Sequence, residues 1–346
     1  MLRLTRLHEI DYMVVSHLLP MPASVPPGLS RRSLLFATLA GGLPASFAQA
    51  YPVRPVRIIV PWAAGGLVDT GGRVVAEAIG RHLGQSGVVE NEPGAAGTLG
   101  ADQVARAAAD GHVLLMGTSS LAIDVAGGRK TPYVLERDLA PVALVADTQS
   151  VVVVPPASPM QSLADLVAAA KAKPGELAYG TPGIGSPAHL FTELFCQTAG
   201  IKLLHVPYNR TPAINDLMGG RLAVMFATAP SSMNHIRNKL LRPLAVTGTK
   251  RLAGLSEVPT VAQAGLPGYQ AGQWLGVFAP AATPAAVVQK LNVEISRAVA
   301  TPAVAQSLEE RALEPRTAST AEFARIVADE IAKWSAVMRN GGIRLE

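Results

Sequence analysis

Short β-branched runs that stop at glycine or proline, each followed by apolar residues every three or four positions, recur along the chain from residue 56 onward. The first run covers 56–60. It is ended by Pro61 and a small-residue turn, Trp62-Ala63-Ala64-Gly65-Gly66, and then a segment over 69–82 places Val74, Val75, Ala78 and Ile79 at helical spacing. Period two giving way to period 3.6 across a tight turn predicts a strand feeding a helix. Gly71-Gly72 inside that helix costs about 1 kcal/mol per glycine relative to alanine, so a close contact is expected to compensate. A short strand over 87–90, a glycine-rich loop over 91–100, a helix over 101–109 and an apolar strand over 112–117 follow. The order is βαβαβ, which predicts a parallel sheet with helices on its faces.

The same grammar continues. Strands are expected over 142–145, 151–154, 177–180, 202–206, 222–226, 244–247 and 274–279, and helices over 162–172, 187–199, 211–218, 231–240, 284–300, 304–313 and 321–339. The strand at 177–180 opens onto Thr181-Pro182-Gly183-Ile184-Gly185-Ser186-Pro187-Ala188-His189, a second glycine-rich turn with Ser186 placed as a helix cap and Pro187 at the first helical position.

Both turns precede a helix start, where bare N–H groups and the positive end of the helix dipole favour an anion and glycine lets it approach. One reading is a carboxylate cradle; the other is that Gly65-Gly66 only permits a sharp bend. Asp69 either complements the dipole or contacts a ligand. Ser186 is a plain cap or a ligand group, and His189 a satisfied first-turn histidine or a ligand contact. Thr118-Ser119 sit at the carboxyl end of a strand, where open α/β sheets bind ligands.

At 346 residues, 49% apolar and 16% charged, the chain is globular and long enough for two domains. The net charge of +5 is mild, with no basic stripe interleaved with aromatics, which argues against a nucleic-acid partner. Ser30-Arg31-Arg32-Ser33, the apolar run over 34–40 and Ala48-Gln49-Ala50 follow the order of a twin-arginine-like export signal, cleaved after Ala50 so that the mature chain starts at Tyr51 in the periplasm. The lone Cys196 cannot form an internal bridge and reads as a small buried apolar residue. No cofactor motif and no metal-ligand cluster are visible: Gly65-Gly66 lacks both the dinucleotide spacing and a phosphate-loop lysine.

With these loops in hand, the chain resembles the Bug family, the extracytoplasmic solute-binding components of tripartite tricarboxylate transporters. The likeness is carried by Tyr51-Pro52 and residues 56–69, by 89–97, 110–118 and 179–190, by Val206-Pro207-Tyr208, and by 259–265 and 279–284. It implies an α/β, two-domain periplasmic binding protein of type II, each domain a mostly parallel sheet flanked by helices, with the ligand cleft between them. The chain would cross twice, giving residues 51–148 plus 273–346 as the first domain and 149–272 as the second. It further implies a non-enzymatic monomer that captures a small carboxylate, a di- or tricarboxylate or an aromatic acid, for membrane transporter subunits. The ligand set it implies is Trp62, Ala63, Ala64, Gly65 and Gly66 on one side, Thr181, Gly185 and Ser186 on the other, and Thr118 and Ser119 at the floor, with Asp69, His189 and Tyr208 nearby. Two departures stand out. Phe226-Ala227 replaces the family's usual Phe-Asp, and Tyr208-Asn209-Arg210 its Tyr-Lys-Gly. Losing an acid at Ala227 disfavours an ammonium group, so the ligand is expected to lack one, with Arg210 facing a distal acid. The rival functions are a ligand sensor docking on a membrane receptor and a hydrolase using Ser186 and His189; nothing resembles a nucleophile elbow.

Overall fold

The computed structural model describes residues 51–208 and 211–345. Arg210 and the export signal expected in residues 1–50 lie outside them. In chain order the elements are β1 (Val56–Val60), α1 (Leu67–Leu83), β2 (Gly87–Asn91), α2 (Thr98–Ala105), β3 (Val113–Thr118), α3 (Ser120–Ala126), α4 (Leu135–Asp138) and β4 (Leu139–Thr148). Next come β5 (Ser150–Val154), α5 (Leu163–Ala172), β6 (Ala178–Thr181), α6 (Pro187–Ala199), β7 (Leu204–Pro207), α7 (Ala213–Met218), β8 (Met225–Thr228), α8 (Ala229–Arg237) and β9 (Arg242–Val246). The chain ends with β10 (Gln273–Pro280), α9 (Ala285–Val299), α10 (Pro302–Glu309), β11 (Glu314–Pro315) and α11 (Thr320–Gly341).

The α/β class holds, but the strands are more mixed in direction than expected. The large sheet has the order β11-β4-β10-β3-β1-β2. β1 runs parallel to β2 and β3, whereas β10 is antiparallel to both β3 and β4, and β11 to β4. The reason is the double crossing. β4 leaves the large lobe and β10 returns to it alongside, with Gln273 opposite Thr148, so the two must run in opposite directions. In the small lobe β5 is antiparallel to both β8 and β9, while β6 and β7 form a separate parallel pair.

Strands buried on both faces read as continuous apolar runs, and these do. Ile58 and Val60 of β1 face one hydrophobic cluster of the large lobe and Ile59 the other. Val152 and Val154 of β5 likewise face one small-lobe cluster, Val151 and Val153 the other. The helical glycines of α1 find the close contact expected of them. A Cβ at Gly71 would stand 2.8 Å from Met116 Cε and one at Gly72 2.6 Å from Val60 Cγ2, so the glycines let α1 lie flat on β1 and β3.

The strands divide between the six-stranded sheet and the smaller sheets at Thr148/Gln149 and Gly272/Gln273, but hydrophobic packing does not. Phe323 and Val327 of α11 belong to a large-lobe cluster, while Trp334, Val337 and Met338 of the same helix join Tyr179, Phe191 and Phe195 in the small lobe. A helix of 22 residues spans about 33 Å, enough to seal both cores.

Candidate functional site

The turn before α1 is the most exposed backbone of the site: Ala63 to Gly66 are all solvent-facing. Gly65 adopts φ +81°, which favours glycine, and Gly66 serves as the N-cap with no side chain capping the helix. The turn is held from beneath. Buried Asp69 accepts from the Gly65 N–H (2.9 Å) through one oxygen and from Asn91 Nδ2 (3.0 Å) through the other; Asn91 also donates to the Trp62 carbonyl (3.0 Å). Arg73 Nε closes the set at 2.8 Å. Burial pushes the Asp69 carboxyl up, but the bonds from Arg73, Gly65 and Asn91 outweigh it and hold the carboxyl below the usual carboxylate range. The Trp62 ring lies over Gly97, where a Cβ would stand 3.0 Å from Cη2. Asp69 thus braces the turn, and α1 starts from it at Gly66 with no side-chain cap.

The second turn is tied up differently. The Thr181 hydroxyl contacts His205 Nε2 (2.6 Å) and accepts from the Gly183 N–H (3.2 Å). Ser186 Oγ donates to the Gly183 carbonyl (2.7 Å) and accepts from the His189 N–H, capping α6. His189 Nδ1 accepts from the Gly185 N–H (3.1 Å), and its ring stacks on that of His205 with centroids 4.0 Å apart. Burial, with the neighbouring His205, lowers the His189 pKa to about 4, and burial lowers that of His205 as well. Both imidazoles are therefore neutral near pH 7. The side chains of Thr181, Ser186 and His189 are spent on the turn itself, and Gly185 lies against Leu345 where a Cβ would collide.

Thr118 and Ser119 are buried at the end of β3, where the Thr118 hydroxyl accepts from the Ser120 N–H (3.2 Å). Tyr208 donates its hydroxyl to Asp216 (2.7 Å) and its N–H to the Thr181 carbonyl (2.8 Å), staying within the small lobe. Ala227 is buried in the cluster of Val151, Ala213 and Met233.

A cleft of about 580 Å³ joins the two lobes at the first turn. Gly65, Gly66 and Thr70 line it from the large lobe, and Met233, Asn234 and Arg237 of α8 from the small one. Trp62, Ala63, Ala64, Asp69, Thr118, Ser119, Thr181, Gly185, Ser186, His189, Tyr208 and Ala227 are not among its described lining residues. Leu67 and Pro230 join these two walls, and the rest of the lining is residues 250–254 and 309–315, which sequence reasoning did not single out. Residues 304–313 read as one helix; instead α10 ends at Glu309, Ala312 turns the chain at φ +56°, and β11 pairs with β4. Asn91 also went unnoticed as a brace, because no local pattern marks a side chain whose partners lie 22 and 29 residues away. Among the described residues no group of three His, Cys, Asp or Glu is placed to hold a metal, and no helix is long and apolar enough to cross a membrane.

Residues 72–343 match the model of the tripartite tricarboxylate transporter family receptor. The chain is 37% identical over 315 residues to the protein BugT of Bordetella pertussis, an alignment covering 90% of this chain and 97% of that protein. Among solved structures, it is similar to Rpa4515 of R. palustris with adipate, at 35% identity and TM-score 0.75, covering 85% of this chain and 99% of that one. MatC from Rhodopseudomonas palustris with bound malate follows at 31% identity and TM-score 0.71, with 83% and 99% covered.

Proposed function

Because the chain belongs to the tripartite tricarboxylate transporter receptor family, a family of non-enzymatic periplasmic binding proteins that includes Bug proteins, we propose that it captures a small carboxylate between its lobes and presents it to membrane transporter subunits. The observation that carries this reading is the N-terminus of α1. It has no side-chain cap, its turn is braced open by Asp69 and Asn91, and it faces the cleft between lobes. Backbone N–H groups aligned with a helix dipole are an anion site at low cost in side-chain entropy. A carboxylate there is held by the N–H groups of Gly66 and Leu67, since that of Gly65 is already given to Asp69, and the small lobe closes over it, bringing up the backbone of the second turn at Gly185-Ser186. The adipate and malate of the two similar structures support the ligand class. Export with cleavage after Ala50 supplies the location. Tyr51 fits such a start: its hydroxyl donates to the Gly111 carbonyl (2.7 Å) and its carbonyl accepts from Lys290, anchoring residue 51 to the body.

The test is thermal unfolding of the mature chain, residues 51–346, with C4 to C6 dicarboxylates and their 2-amino analogues. A ligand at 100 times its Kd stabilises by about 2.7 kcal/mol. A diacid is expected to raise the melting temperature, and aspartate and glutamate to do so less than succinate and glutarate. No shift with any carboxylate overturns the capture reading; preference for the amino acids overturns the exclusion of ammonium.

A further inference from the structure

The cleft wall facing the first turn carries seven charged side chains, and most of them are already engaged. Arg251 donates to Gln263 and to the Ser256 carbonyl, and Arg311 to Ser307. Glu310 accepts from Gln306, and Glu314 from Gln149 Nε2 (2.6 Å). Three are left with no ion pair or side-chain hydrogen bond among the described residues: Arg237, Lys250 and Glu309. Two cations against one acid is a positive surplus in the cleft.

Their placement is specific. Arg237 closes the last turn of α8, one turn on from Asn234, so both face the cleft. Met233 and Arg237 lie along the 250–254 segment, and a Cβ at Gly254 would stand 2.7 Å from Met233 Cε and 3.7 Å from Arg237 Nη2. Gly254 therefore leaves room for Met233, and the Arg237 guanidinium lies in ordinary contact beside the segment that bears Lys250. The large-lobe wall of the cleft carries the uncapped start of α1, and the small-lobe wall a guanidinium and an ammonium.

We propose that Arg237 and Lys250 bind a second anionic group on the ligand, which makes them the residues that select a dianion over a monoanion. This rests on the capture reading above: the first carboxylate sits at Gly66-Leu67 at the start of α1 and the second at Arg237 and Lys250. An anion bridging the two walls also gives the lobes a reason to close, because each end of the ligand is held by a different lobe. Glu309 faces the same anion and weakens it.

The probes are an α,ω-dicarboxylate series from C4 to C8 and the monomethyl ester of each acid, titrated calorimetrically into the mature chain. The ester keeps one carboxylate and nearly the same shape, so the ratio of the two affinities isolates the second charge. The wild type is expected to prefer at least one diacid to its half-ester by about tenfold or more. In the Arg237→Ala/Lys250→Ala variant that ratio collapses toward one while half-ester affinity is kept, and Glu309→Gln raises diacid affinity a few-fold. Both substituted cations are exposed, and far-ultraviolet circular dichroism checks that the variant is folded. Equal binding of diacid and half-ester by the wild type, or a preference that survives in the double variant, overturns this inference and leaves carboxylate capture standing. Binding of neither by the wild type overturns the capture reading itself.

Discussion

Asp69 shows how one residue type can be legible while its job is not. A carboxylate in the first turn of a helix follows from the dipole and can be read locally. What it accepts from is not local: Asn91 arrives on β2, 22 residues on, and the Gly65 N–H turns inward only because Gly65 takes a positive φ. Replacing Asp69 by alanine removes a charged acceptor from the half-buried Asn91 amide, which keeps its bond to Trp62, and from the Gly65 N–H, at a cost of about 1–3 kcal/mol. Asp69→Ala is therefore expected to lower the melting temperature by several degrees and to weaken carboxylate binding as the turn loosens. Arg73→Ala, which removes a side chain 62% exposed, should cost far less in calorimetry of both variants. Equal losses would mean that the ion pair, and not the brace, is what matters.

At the scale of elements, the turn before α6 is the instructive case. Ser186 and Pro187 announce its cap from sequence, and the cap forms. The stacked pair beneath it does not show in sequence, since His205 lies on β7 and reaches His189 only because β6 and β7 run side by side. The pair makes the element sensitive to acid. His189 titrates near 4 in the fold and near 6.5 when unfolded, so between those values the unfolded chain binds more protons and stability falls as pH falls. The contribution is fully present above about pH 6.5 and is lost toward pH 4, by on the order of a few kcal/mol. Urea unfolding at pH 7 and pH 5 should show the loss, and His189→Gln should flatten it. An unchanged slope in the variant would assign the acid sensitivity to other groups. The same helix start excludes the hydrolase: Ser186 Oγ is bonded to backbone, and His189 turns Nδ1 toward the Gly185 N–H.

For the whole molecule, the decisive feature is that α11 packs into both lobes. Trp334 is fully buried and stacks on Phe191 of α6, with ring centroids 5.4 Å apart, although its helix begins on the large sheet. Trp334→Ala should cost about 3–5 kcal/mol. Because the cores are joined through one rigid helix, scanning calorimetry is expected to show a single transition shifted to lower temperature. Two peaks, only one of them shifted, would show that the lobes melt independently. The closure proposed for ligand capture would pivot on the paired crossings at Thr148 and Gln273, where Gln149 ties Gly248 and Lys250 of the small lobe to Glu314 of the large one.

The sequence by itself determined the alternation of strands and helices, the two glycine-rich turns, the cap at Ser186 and the family, because these depend on residue types at short, regular spacing. It also marked Gly71 and Gly72 as places where something must come close. Tertiary structure alone decided the direction of β10, the brace from Asn91, the end of α10 at Glu309, and the meeting of Gly65 with Arg237 and Lys250 across the cleft. Each of those joins residues far apart in the chain, and an interaction between distant positions leaves no periodic trace at either one.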